Sequence, residues 1–273
     1  MAGYEIKPSK WLSFDLNELW RYRELFWFMA WRDIKVKYKQ TLLGFFWVII
    51  QPLVLMFIFS ILWTKVMKDV TVDMPYPLFA YSGLIFWGLL SSGISSASES
   101  MIANSNIIKK VYFPRIIIPS SAIIIALFDF LMTFIVYILM IFYYNLEISF
   151  LKFTGLMLLS LLITSGASFG IGLMIASATI KYRDFKYVIP FFLQAFFFIS
   201  PVVYPLSLID SDSLKFILSL NPLAGAINLS REALSNNAVD WHPVIYSVVM
   251  TVFLLIAGLT LFRRMESQYS DML

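Results

Sequence analysis

The sequence contains no cysteine and a single histidine, His242. That excludes a disulfide framework, a thiolate nucleophile and a cysteine- or histidine-rich metal cluster. Charge is scarce as well. Only 14% of the 273 residues are Asp, Glu, Lys or Arg, against about 25% in an ordinary soluble domain. So few charges cannot clothe a water-facing surface, which excludes a soluble enzyme and a disordered chain alike. There is no G-x-x-x-x-G-K-[ST] loop, the backbone cradle with which many ATPases hold phosphates. H-E-x-x-H and G-x-S-x-G are missing too. The expectation is a chain with no cofactor, no metal and no catalytic residues of its own. Any uphill work it does must draw on an ion gradient or on a separate ATPase. No short apolar segment with a small-residue cleavage site precedes the first long apolar run, so no removable signal peptide is expected.

What the chain has in excess is apolar and aromatic side chains: 60% hydrophobic and 18% aromatic residues, with a mean hydropathy of +0.79. About 20 apolar residues cross a hydrocarbon core of about 30 Å, and runs of that kind recur. They predict an all-α polytopic membrane protein with six spans, at about 42–63, 78–98, 116–143, 153–180, 188–204 and 243–262. The fifth is short and interrupted by Pro190 and Pro201. Basic residues set the direction, because cytoplasmic connections carry the Lys and Arg excess. Eight precede the first span (Lys7, Lys10, Arg21, Arg23, Arg32, Lys35, Lys37 and Lys39). Lys109, Lys110 and Arg115 follow the second span, Lys181, Arg183 and Lys186 follow the fourth, and Arg263 and Arg264 follow the last. The alternate connections hold only Lys65, Lys68, Lys152, Lys215 and Arg231. Both termini are therefore expected in the cytoplasm, which accounts for the net charge of +4. The chain divides into a cytoplasmic segment 1–41, a six-span domain 42–262 and a tail 263–273.

Segment 1–41 has a helical period. At 100° per residue, Leu16, Trp20, Trp27, Trp31, Ile34 and Tyr38 fall within about 60° of one another. Glu18, Arg21, Arg32, Lys35 and Lys39 lie off that stripe, and Arg23 can snorkel from its edge. A basic face opposite a Trp-rich stripe suits an interfacial helix on the membrane surface; packing against a soluble partner is the alternative. Between the fifth and sixth spans, Asn221-Pro222-Leu223-Ala224-Gly225 breaks the chain ahead of a short helix over 223–234. Short re-entrant or interfacial helices are expected there, with a plain external loop as the alternative.

Within the spans, Asp129 is the lone acid deep in a predicted helix. It suits either a pathway or a structural pairing with a neighbouring hydroxyl or amide. Gly88, Ser92, Ser96 and Ser100 recur every fourth residue, and Gly166 and Gly170 form G-x-x-x-G; both patterns are first of all packing ridges. Asp210-Ser211-Asp212 matches the D-x-D of metal-dependent glycosyltransferases, but Asp and Ser at a turn explain it more simply.

Four stretches together resemble one family. They are Arg32-Asp33-Ile34-Lys35-Val36-Lys37-Tyr38-Lys39-Gln40-Thr41-Leu42-Leu43-Gly44 with Trp47 and Gln51-Pro52-Leu53; Lys109-Lys110-Val111-Tyr112-Phe113-Pro114-Arg115; Ser200-Pro201-Val202-Val203-Tyr204-Pro205; and Asn221-Pro222-Leu223-Ala224-Gly225. Their order and spacing are similar to the transmembrane subunits of type-2 ABC exporters for lipid-linked polysaccharides (O-antigen, capsule and teichoic acid). The resemblance implies a homodimer in the bacterial inner membrane, joined by two copies of a separate subunit that binds ATP and Mg. It implies that Arg32, Asp33, Lys35, Lys37, Lys109, Lys110, Tyr112, Phe113 and Arg115 face that ATPase. Phe45, Phe46, Trp47, Phe192, Phe196 and Phe197 become candidates to line the channel, and Asn221, Pro222, Gly225 and Arg231 to build its outer mouth. An exporter of another amphipathic cargo, such as a drug or lipid, would keep the same architecture. A membrane-embedded glycosyl- or acyltransferase is the rival from a different class.

Overall fold

The computed structural model describes residues 16–39, 44–66, 74–182, 184–235 and 238–266. Lys7, Lys10, Gln40, Thr41, Leu42, Leu43, Lys68, Arg183 and the tail from 267 lie outside the described residues, as does the side chain of Leu16. All regular structure among the described residues is helical. The elements are α1 (Leu16–Arg21), α2 (Arg23–Lys39), α3 (Phe46–Val66), α4 (Tyr76–Ala103), α5 (Ser105–Ile108), α6 (Ile117–Tyr143), α7 (Phe150–Lys181), α8 (Phe185–Ile199), α9 (Asp212–Ser219), α10 (Pro222–Glu232) and α11 (Trp241–Glu266). A 3-10 turn, Leu206–Leu208, separates α8 from α9.

Five helices, α3, α4, α6, α7 and α11, are long and apolar enough to cross a bilayer. The remaining expected span, the fifth, is α8, whose 15 residues reach only about 22 Å at 1.5 Å per residue. Pro201, just past its end, removes a backbone donor and keeps the helix from extending to 204. α4, α7 and α11 outrun their expected boundaries by a few residues, whereas α6 stays within its expected span. α3 starts late because Gly44, with φ 46, turns the chain in a conformation that favours glycine. Asn145 takes the same left-handed region, φ 50, in the turn from α6 into α7.

α4 is the centre of the bundle and is buried along most of its length. Leu84, Ile85, Leu89, Leu90 and Ile94 pack with Ala126 and Phe130 of α6, Ile163 and Ala167 of α7, and Leu223 and Ile227 of α10. A second apolar cluster closes the end of the bundle that carries Lys109–Arg115, hereafter the basic end. It joins Met29 of α2, Met101, Ile108, Phe113, Ile116, Leu173, Ile180 and Phe262. In hydrocarbon, apolar burial brings little gain, so close backbone approach holds helices together. The Gly166–Gly170 ridge does this against α11. A β-carbon on Gly170 would sit 2.6 Å from the Leu254 carbonyl carbon, and one on Gly258 would sit 2.3 Å from the Gly170 oxygen. The serine ridge does not act this way. α4 meets α7 one position over, where Gly93 faces Ser168 and Ala97 faces Gly172, while Gly88 faces open space.

The helix lengths provide a ruler. Trp63 near the end of α3 stacks on Tyr76 at the start of α4, with ring centroids 4.5 Å apart. From that common level α3 returns about 25 Å to Phe46, whereas α4 runs about 40 Å to Ala103. α4 therefore projects about 15 Å beyond the first turn of α3, and α2 packs against α6, with its Met29 in the same apolar cluster as Met101 near the end of α4. Ser92, about 24 Å from Tyr76 along α4, lies level with the start of α3. Because Ser92 binds Asp129, Asp129 lies at that level too. On its own helix Asp129 stands near the middle of Ile117–Tyr143.

Candidate functional site

At the basic end, Lys109, Lys110 and Val111 are exposed, and Tyr112 is 83% exposed. The loop presents them because its other members face inward. Phe113 is buried in the second cluster. The Arg115 guanidinium donates to the Glu266 carbonyl at the end of α11, and the Arg115 amide donates to Glu266 Oε1 at 3.4 Å. Phe113 and Arg115 therefore hold the loop in place, and Lys109 to Tyr112 form its accessible surface. The Tyr22 hydroxyl donates to the Tyr112 carbonyl at 3.4 Å, which brings α1 and α2 beside the loop.

The expected stripe of the N-terminal helix divides in two. The chain is interrupted at Tyr22, and Trp20, Trp27 and Trp31 face outward at 70, 61 and 57% exposure. Ile34 instead turns inward with Met29 and Ala30, and Tyr38 is half-buried. The Arg23 guanidinium covers the Trp20 ring at 5.1 Å and Lys35 covers Trp31 at 5.3 Å, so basic heads lie over the exposed indoles. Arg32 pairs with Asp33 at 2.6 Å and donates through Nη2 to Asn104 Oδ1 at 2.7 Å.

Asp129 gathers three helices. Lys37 Nζ lies 2.6 Å from Oδ2, the Tyr38 hydroxyl donates to Oδ1, and the Ser92 hydroxyl donates to Oδ2 at 3.1 Å. Burial, and then the hydrogen bond and charge of Asp129, push the Tyr38 phenol well above its ordinary range, so it remains a donor at any ordinary pH. Sequence reasoning offered Asp129 a neighbouring hydroxyl, which Tyr38 and Ser92 supply, but not its cation, Lys37. The usable signal was the rarity of a carboxylate without a cation at membrane depth, with Lys37 in the adjoining basic segment.

Along the bundle, α3 and α8 are the least covered elements. None of Phe46–Trp63 is buried. Phe45 and Phe46 stack at 4.4 Å and, like Trp47, are exposed. On α8, Phe192 stacks on Phe196 at 5.6 Å. Phe196 and Phe197 lean on Trp87 of α4 at 6.1 and 5.3 Å, and Phe197 reaches Phe59 of α3 at 6.1 Å. The candidate channel aromatics thus form two groups: an open one at the start of α3, and a half-buried one where α3, α4 and α8 meet beside the open face of Gly88.

At the opposite end, α10 is buried along most of its length, which removes the reading of a plain external loop. Asn221 caps it by accepting from Leu223 N at 2.9 Å, Pro222 supplies a preformed first turn, and Gly225 N donates to Ser247 Oγ on α11 at 2.8 Å. Arg231, 8% exposed, donates to the carbonyls of Pro201 at 3.0 Å, Val202 at 2.6 Å and Phe79 at 3.4 Å. Its guanidinium lies 3.5 Å from the Phe79 ring centroid. Burial pushes this guanidinium down to about 9, still charged at neutral pH. These four residues anchor α10 to the end of α8, α4 and α11. A cavity of about 860 Å³, with Lys215, Asn228, Asp240, His242 and Tyr246 in its wall, opens beside them. Asp210-Ser211-Asp212 is exposed and starts α9, with Ser211 at the N-cap and Asp212 in the first turn, where an acid favours the helix dipole.

Comparison with known proteins covers most of the chain. Residues 24–235 match the family model described as ABC-2 type transporter. The chain is 28% identical over 246 residues to the O-antigen export system permease protein RfbA of Klebsiella pneumoniae, covering 89% of this chain and 92% of that protein. It is 25% identical over 262 residues to the RfbA of Myxococcus xanthus, covering 94% and 98%. The polysialic acid transport protein KpsM of Escherichia coli is 28% identical over 245 residues, covering 86% and 91%.

Proposed function

The chain belongs to the ABC-2 type transporter family as a multi-pass inner-membrane permease, and from that premise we propose that it is the channel-forming subunit of a polysaccharide exporter. Two copies would enclose the path, and ATP would be hydrolysed on a separate cytoplasmic subunit present in two copies. The cargo would be a glycan on a lipid carrier. In this reading α8 is the short fifth of six spans and both termini are cytoplasmic.

The observation that carries the proposal is the near-complete alignment with permeases named for O-antigen and polysialic acid export. The geometry supports it at three places. Lys109 to Tyr112, flanked by α1 and α2, offer a basic and aromatic platform on which an ATPase can dock. α3 and α8 leave aromatic faces uncovered by their own chain, where a second copy can close a path. Aromatic rings there suit the C–H faces of sugars. Around α10 the bundle is braced by hydrogen bonds, a firm rim for an outer mouth.

The test is purification from membranes in mild detergent. A soluble chain bearing a Walker loop should accompany this one, ATP hydrolysis should depend on that partner, and deleting either chain should remove glycan from the cell surface. Hydrolysis by this chain alone, or surface glycan unchanged by its deletion, would overturn the proposal. Reversing Lys109 and Lys110 to Glu should weaken partner capture with little change in melting temperature, since both side chains are exposed. Phe46→Ala should lower export per folded molecule while leaving stability nearly intact, because half of that residue is already uncovered.

A further inference from the structure

Asp129 is engaged on both carboxylate oxygens by side chains from two other helices. Lys37 and Tyr38 are consecutive on α2 and therefore diverge by about 100° around that helix, yet both reach the same carboxylate. A helix held at two directions from one acceptor cannot rotate or slide along α6 without breaking at least one contact. Ser92 adds α4 to the same carboxylate. About 7.5 Å farther down α2, Arg32 donates to Asn104 Oδ1, and Asn104 Nδ2 donates to the Ser100 carbonyl at 2.9 Å. Between the two polar ties, Ile34 seals the contact. α2 is thus fastened to α4 and α6 at two heights, with its Trp face and Lys35 left outward.

We infer that Asp129 is a positioning residue: it makes α2, α4 and α6 one rigid lever, so that a push on α2 reaches the translocation helices. The inference rests on the reading that α2 lies beside an ATPase. α4 is the fitting recipient, because it carries Trp87, against which Phe196 and Phe197 rest, and the open face at Gly88. Without the carboxylate, α2 remains packed through Met29 and Ile34 but is free to slip, and ATP turnover no longer drives the bundle.

The experiment uses the complete transporter with its ATPase, scoring surface glycan per cell, ATP hydrolysis of the purified complex, and melting temperature. Asp129→Ala should keep ATP hydrolysis and lower export per ATP by about tenfold, within the usual range for coupling between sites. Exchanging the charges, Lys37→Asp with Asp129→Lys, should recover most of that loss with little change in melting temperature, whereas a merely structural role would move export and melting temperature together. Normal export per ATP in a folded Asp129→Ala variant, or no recovery in a folded exchanged pair, would overturn the inference. The cysteine-free background allows a second arm should Asp129→Ala fail to accumulate. Lys37→Cys and Asp129→Cys, bridged by a short reductant-cleavable thiol linker, should export more when bridged than when cleaved. Export that stops on bridging and returns on cleavage would show a joint that has to open, and would overturn the rigid lever. A wild-type chain that retains no ATPase would remove the functional reading itself, whereas an intact complex indifferent to Asp129 would remove only the lever.

Discussion

Two sites in this bundle, one midway along α6 and one around α10, each hold a buried charge, and they treat it in opposite ways. At the first, Asp129 meets a cation, Lys37, whose side chain is 38% exposed, while its own is 10% exposed. At the second, Arg231 is just as buried but is held by three carbonyls and the face of a phenyl ring. A half-wet ion pair is a modest interaction whose partners can be exchanged. A guanidinium whose fork answers carbonyls from two separate segments is a keystone, because its removal leaves buried acceptors unpaired. The first arrangement suits a joint between elements that move together under load. The second suits a wall that must hold its shape.

The sharpest way to break this comparison is at the keystone. Arg231→Ala should cost about 3 kcal/mol or more, combining lost hydrogen bonds from a charged donor with a buried void. It should show as a large drop in folded protein and melting temperature. Arg231→Lys should not rescue it, since an ammonium supplies neither the planar fork nor the stacking. A Lys variant as stable as wild type would erase the distinction. At the joint, Asp129→Asn should cost roughly 1–2 kcal/mol, because the amide oxygen can still accept from Tyr38 or Ser92 while the charge on Lys37 is left alone. Lys37→Met should cost less still, about 1 kcal/mol or below, since that side chain is already partly in water. Thermal melts of the three variants in one detergent should therefore rank Arg231→Ala above Asp129→Asn above Lys37→Met.

The smallest expected effect lies beside the keystone. Burial raises the carboxyl of Glu232 above the usual carboxylate range, against the opposing hydrogen bonds from Asp240 N and Asn228. The folded state thus binds a proton more readily than the unfolded chain. Its ionisation therefore opposes folding above the ordinary glutamate pKa, and stability should rise slightly as pH falls through that window. Glu232→Gln should flatten the rise without lowering the melting temperature at pH 7. A melting temperature that falls with pH in wild type but not in the variant would reverse the assignment.

Much of the architecture was legible along the chain. Apolar length exposed the five long helices, Gly166 and Gly170 announced their contact, and Asn221-Pro222 announced the start of α10. The boundaries that slipped did so where backbone conformation intervened, at Gly44 and after Ile199. The site was less legible. Phe113 and Arg115 sit in a loop that reads as a contact surface, yet they serve the fold because α2 starts and α11 ends beside them. The serine ridge on α4 looked like the face of close approach, but Gly93 and Ala97, one position over, make that approach to α7, while Ser92 turns to Asp129 on α6. The Trp stripe had a clean period and still divided, since Ile34 and Tyr38 found partners within the bundle and Trp20, Trp27 and Trp31 did not.

Membrane residence, helical class, the approximate spans and the lack of a phosphate-binding loop follow from sequence alone, because each depends on composition or on neighbours within a few residues. A bilayer asks only for enough consecutive apolar side chains. The partner of Asp129 lies 92 residues away, and the carbonyls that hold Arg231 lie 29, 30 and 152 residues away. Which of them meet depends on the depth and rotation of one helix against another. Those are set by small residues where backbones touch, such as Gly170 against Gly258, and one step of about 100° around a helix changes every partner it presents. Only the packed structure decides that register.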